Sequence, residues 1–92
     1  MIVEYSAHAE QKLSARSIRK EDVKRIIVDS KQKFVDVEHE AKVAIGPVED
    51  RSVIVIYRMV KADVKVITVY HTRKLEKLLS SKMERGVWRE II

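Results

Sequence analysis

The chain has 92 residues, 36% of them charged, with a formal net charge of +5 and no cysteine. That length supports one domain over residues 1–92 with a modest core. The lack of Cys excludes disulfides, thiolate zinc sites and cysteine nucleophiles. No apolar run approaches a membrane span and the opening residues lack a signal-peptide pattern, so a soluble, cytoplasmic protein is expected.

Gly and Pro total three residues, which demands short loops. Ser6 is placed to cap a first helix by accepting from a backbone N–H one turn in. Along that helix Ala9, Leu13 and Arg16 form one stripe, with His8, Lys12 and Ala15 beside it. A tight turn leads to a second helix, whose Val23, Ile26 and Ile27 make an i, i+3, i+4 apolar face. Glu21 and Asp22 in its first turn suit the helix dipole.

From Lys33 the period becomes extended. Residues 34–38 and 41–45 read as two strands joined by a polar turn at His39-Glu40. Gly46-Pro47 is expected to end or bulge the second of them, because Pro cannot donate to a ladder. Residues 52–59 hold the most apolar run, Val53 to Tyr57, expected at the centre of the sheet. Lys61-Ala62-Asp63 turns into a fourth strand over 64–70. Short connections favour a four-stranded antiparallel meander. Residues 73–84 return to helical spacing, with Leu75, Leu78 and Leu79 on the buried side, and Gly86 stops the helix. The tail, with Trp88, Ile91 and Ile92, is apolar enough to pack on the sheet or on a second copy as a homodimer contact. The expectation is an α+β fold in the order α-α-β-β-β-β-α.

Ser6-Ala7-His8-Ala9, Leu13, Arg16-Ser17-Ile18 and Asp22-Val23 together resemble the opening of a family of small prokaryotic domains allied to the RelE/ParE toxin superfamily. Tyr57-Arg58 and residues 66–70 resemble its later paired strands. The resemblance implies a compact sheet flanked by helices, often a ribonuclease toxin held inactive by an acidic antitoxin; ParE-like relatives target DNA gyrase instead. Arg19 stands where the family usually has a Ser or Thr cap. Only His8 and Arg16 match the motif's chemistry-bearing positions directly.

The positive charge favours a polyanionic partner, with nucleic acid first. Dense mixed charge without Cys also leans toward a thermophilic source, because ion-pair networks gain value with temperature. Metal-independent RNA cleavage needs a proton acceptor, a stabiliser of phosphorane charge and a proton donor. His8 and His71 are the acid/base candidates, and Arg16, Arg58 and Arg73 the phosphate ligands. His71-Thr72-Arg73 lies where the last strand meets the last helix, whose N-terminal N–H groups suit an anion. Tyr57 and Tyr70 are candidates for base stacking, Lys12 for phosphate attraction, and Thr72, between His71 and Arg73, for substrate contact.

Each has a plainer reading. His8 hydrogen-bonds a strand carbonyl, and Arg16 braces the helix corner by binding carbonyls or Asp22 or Asp29. Thr72 caps the last helix, and the tyrosines are cross-strand packing pairs. Glu38-His39-Glu40 is not a metal site, since three consecutive turn residues rarely converge on one ion; no cofactor is expected. The function expected is a metal-independent endoribonuclease of toxin type. The alternative is a non-catalytic module that binds nucleic acid or docks on a protein, and a third reading is a degenerate dimeric remnant.

Overall fold

A computed structural model describes residues 1–91. The elements are β1 (Val3–Tyr5), α1 (Ala7–Arg16), α2 (Lys20–Asp29), β2 (Gln32–Asp36), β3 (Ala41–Val48), β4 (Arg51–Val60), β5 (Asp63–Thr72), α3 (Leu75–Glu84) and β6 (Trp88–Glu90). The fold is α+β, but its sheet is not the expected four-stranded meander. It is six-stranded and mixed, in the order β1-β5-β4-β3-β2-β6. Two three-residue strands make the difference. β1 pairs parallel to β5 through Val3↔Val64 and Tyr5↔Val66, and β6 pairs antiparallel to β2 through Phe34↔Glu90 and Asp36↔Trp88. Strands this short carry no readable alternation, and both are recruited by the edges that β2–β5 leave open.

Both faces of the sheet are buried, which is why Val53 to Tyr57 reads as unbroken apolar sequence. Val53, Val55 and Tyr57 face α1 and α2, packing with Ala9, Leu13, Ile18, Val23, Ile26 and Ile27. Ile54 and Ile56 face the other way, joining Phe34, Val43, Ile45 and Trp88, with Leu75, Leu78 and Leu79 of α3 packed against them. α3 itself has no fully buried residue. Among the described residues, no helix is long and apolar enough to cross a membrane.

α1 is seated by its cap. Ser6 Oγ accepts from Ala9 N at 3.0 Å and donates to the Ile67 carbonyl at 2.8 Å, while Ser6 N donates to the Val66 carbonyl at 3.0 Å. Ile67 is the extra residue of a β-bulge: Ile56 pairs with Thr68, but Tyr57 pairs with Val66. The bulge frees a carbonyl that the first turn of α1 takes up.

Two further expectations are corrected, and one is resolved between its alternatives. β3 does not stop at Gly46-Pro47 but runs to Val48. Its pairing with β2 ends at Ile45, so Pro47 lies on an overhang paired only with Ser52 of β4; there its missing N–H leaves the β2 ladder intact. Thr72 is not the cap of α3. It ends β5, and its Oγ1 accepts from Lys74 N at 2.9 Å, while the N-cap residue Lys74 makes no side-chain cap bond. The tail packs on the sheet, one of the two placements expected for it, with Trp88 1% exposed and β6 paired to β2. Ile91 is exposed, and Ile92 lies outside the described residues.

Gly46 is required for contact rather than for a turn: a Cβ there would stand 2.6 Å from Ile26 Cγ1. Gly46→Ala should push α2 off the sheet at a cost of about 1–3 kcal/mol, read as a lower denaturant midpoint at unchanged m-value.

Candidate functional site

β5 delivers His71 to the end of the helix-covered face, two residues beyond the buried Val69 and opposite Val53. The next residues outward are charged. Arg51 opens β4 after the Glu49-Asp50 hairpin, Arg16 ends α1, and Arg73 follows β5. Arg51 ties this corner together: its Nη1 donates to the Arg16 carbonyl at 2.7 Å and its Nη2 to the Ser17 carbonyl at 3.0 Å. These are carbonyls at the C-terminus of α1, which a guanidinium satisfies well. The brace expected of Arg16 is therefore made by Arg51, acting on the backbone of Arg16. The Arg16 side chain enters none of the ion pairs among the described residues. Arg73 Nε donates to Asp50 Oδ2 at 3.2 Å, and the Arg73 guanidinium holds that carboxyl below the usual carboxylate range.

His71 is half-buried among these charges, and its Nδ1 is buried with no hydrogen-bond partner among the described residues. Burial, then the positive charges of Arg51, Arg16 and Arg73, push its pKa below the ordinary imidazole value, with Asp50 opposing them. The ring is thus biased toward its neutral form, able to accept a proton, beside guanidinium groups suited to an anion.

The structure brings His71, Arg16 and Arg73 together, with Thr72 between His71 and Arg73 at the end of β5, and leaves the remaining candidates elsewhere. His8 is exposed on the first turn of α1, about 12 Å along the axis from Arg16 at 1.5 Å per residue. It is not among the charges that act on His71. Lys12 is half-buried partway along α1. Tyr57 is buried against α1 and α2, 4% exposed, with burial raising its pKa. Tyr70 packs on the opposite face, where burial and then Asp36 push its hydroxyl up to about 12. Tyr57 is not free to stack on a base, Tyr70 is only partly buried, and the sheet lies between them. Arg58 sits toward the far end of β4, its Nη2 donating to the His39 carbonyl at 2.7 Å.

A second constellation escapes sequence reasoning. Asp36 is 1% exposed, yet it accepts three hydrogen bonds: from His39 N to Oδ1 at 2.9 Å, from Trp88 Nε1 to Oδ2 at 3.0 Å, and from His39 Nδ1 to Oδ2 at 3.0 Å. Burial alone would raise this carboxyl, but the His39 and Trp88 donors outweigh it and the pKa falls below the carboxylate norm. The one available signal was an acidic residue two positions from Phe34, on the same face of its strand. Among the described residues, no group of three or more His, Asp or Glu could hold a metal.

Asp36→Asn keeps the shape but removes a charge-assisted acceptor, so it should cost about 1–3 kcal/mol at neutral pH. Because the native pKa is depressed, the wild-type advantage is complete above the ordinary carboxylate value and fades as pH drops through the native one. Denaturation curves of both proteins from neutrality down to about pH 3 should therefore converge on the acid side.

Comparison with curated proteins gave no match, and neither did comparison with solved structures. A family model does match, over residues 5–71, from the last residue of β1 to His71. It describes an uncharacterised domain and establishes no tie to the RelE/ParE superfamily. With most of its length inside that match, the chain belongs to the family described as Domain of unknown function (DUF4258).

Proposed function

We propose that the chain acts on RNA as a metal-independent endoribonuclease of the RelE/ParE toxin type, with His71 as proton acceptor and Arg16 and Arg73 as phosphate ligands. One observation carries the reading: a half-buried histidine with an unpartnered Nδ1 lies within the influence of three guanidinium groups. A neutral imidazole takes the 2′-hydroxyl proton as that oxygen bonds to phosphorus, the guanidinium groups stabilise charge as it gathers on the phosphorane, and the 5′-oxygen leaves with the bonding pair and takes a proton from the imidazolium or from water. Arg51 contributes field more than contact, since both of its terminal nitrogens already donate to carbonyls. Arg73 reaches a phosphate by leaving Asp50, an exposed pair that costs little to open. The net charge of +5 draws a polyanion toward the surface, and a small acidic protein could cover the same cluster as an antitoxin.

The test is purified protein with single-stranded RNA in EDTA. Cleavage is expected, falling about 100-fold in His71→Gln and about tenfold in Arg16→Gln or Arg73→Gln, with His8→Gln unchanged. The base must be unprotonated, so the rate should climb with pH and level off before neutrality, its midpoint below about 6.5, the unperturbed histidine value. Intact RNA after prolonged incubation with clean, folded protein rejects the enzyme. If such protein still binds RNA, and the affinity falls steeply with added salt, the non-catalytic nucleic-acid module replaces it.

A further inference from the structure

The Asp36–His39 pair does more than close a loop. His39 Nδ1 lies 3.0 Å from a buried carboxylate, so the hydrogen bond places a proton on Nδ1, and in the neutral form of the ring the lone pair falls on Nε2. The His39 side chain is 49% exposed against 1% for Asp36, so one partner is fixed in the protein and the other is presented to solvent. Arg58 stands beside it, one terminal nitrogen held on the His39 carbonyl and the rest of its donor fork uncommitted to that bond. A shallow groove lined by Val35, Glu40, Ala41, Lys42, Arg58 and Met59 adjoins the loop, and Glu40 and Arg58 link it to His39 by chain neighbourhood and by hydrogen bond. Val35 and Met59 are both substantially exposed, at 40% and 44%.

We propose that His39 is a nucleophilic histidine that accepts an acyl group from an activated, uncharged ester, with Arg58 facing the carbonyl oxygen and Asp36 positioning the ring. An uncharged donor fits because Glu38 and Glu40 flank His39 in the loop and would repel an anionic one. In the first step the Nε2 lone pair bonds to the carbonyl carbon, and the oxygen takes negative charge beside Arg58. Collapse breaks the carbon–oxygen bond to the leaving group, which departs with the electron pair and takes a proton from water. The acyl-imidazolium left behind is positive, and the Asp36 carboxylate neutralises it through the Nδ1 proton. Water then adds to the acyl carbon and the Nε2–carbon bond breaks, releasing the acid and neutral His39, while the remaining proton neutralises the hydroxide left when the leaving group was protonated by water. The site lies apart from His71, so it stands whether or not the chain cleaves RNA.

Hydrolysis of p-nitrophenyl acetate by the full chain tests this directly. His39→Gln should remove most of the protein-catalysed rate, about tenfold or more, and Arg58→Gln should lower it severalfold. His8→Gln, which alters an exposed histidine outside the pair, should leave it unchanged. Limited modification by diethyl pyrocarbonate, read by peptide mass, should label His39 before His8. The positioning role of Asp36 has its own readout in the wild-type protein: imidazole 15N spectra should show His39 protonated at Nδ1. Equal labelling of His39 and His8, or an undiminished ester rate in a folded His39→Gln protein, overturns the proposal. A His39 ring protonated at Nε2 overturns the Asp36 mechanism.

Discussion

The buried Asp36 carboxylate is where separate parts of the chain are made to agree. It sits at the end of β2, where strand, following loop and C-terminal tail meet, and the latter two supply its donors: the β2–β3 loop through His39, the tail through Trp88. A charge at this depth is costly unless its lone pairs are occupied. That requirement gives the loop one conformation and the tail one landing place. Trp88 then stacks on Phe34, ring centroids 5.7 Å apart, with Lys82 of α3 over its other surroundings at 5.5 Å from the ring centroid. The thinly covered face of the sheet is completed around that indole.

The opposite face is organised by helices, and its polar contacts gather at the rim. Asp22, 9% exposed, pairs with both Arg19 and Arg25, and Arg25 also donates to the Pro47 carbonyl at 3.1 Å. Arg51 does the same service at the end of α1. Arginine is well suited to these positions because one planar fork can serve two carbonyls, or a carboxylate and a carbonyl, at once. Much of the chain's cationic surface is therefore structural. What distinguishes the His71 corner is that its positive charge exceeds what the backbone there consumes.

Much of the central architecture was legible because burial on both faces writes itself as unbroken apolar sequence, as in Val53 to Tyr57, and because a one-faced helix shows its period, as in Val23, Ile26 and Ile27. The overall sheet was not legible. β1 and β6 are three residues each and acquire their state from strands far away in sequence. The strand over Gln32–Asp36 misleads in a second way. Val35 and Val37 are the exposed residues, while Phe34 and Asp36 are buried, so the charged residue is inside and the aliphatic ones are out. At the candidate site, His71, Arg16 and Arg73 could be suspected from their positions at element ends. Arg51 could not, since nothing local marks an arginine after a hairpin as the partner of carbonyls 34 and 35 residues away. Asp36 and His39 were hidden for the same reason: their third partner, Trp88, comes from 52 residues along the chain.

The parallel pairing of β1 with β5 has a consequence for the order in which this molecule can be assembled. Val3 finds its partner at Val64, and the cap of α1 docks on the carbonyls of Val66 and Ile67. β1 and α1 thus have no seat until the chain has been made through β5. The hairpins β2–β3, β3–β4 and β4–β5 close over short loops and can form early, whereas the N-terminal segment must wait and pay a long loop-closure entropy. α1, whose fully buried residues are just Ala9 and Leu13, is polar enough to wait in water without a partner. The corner that unites Arg16 with His71 is accordingly among the last parts of the protein to come into being.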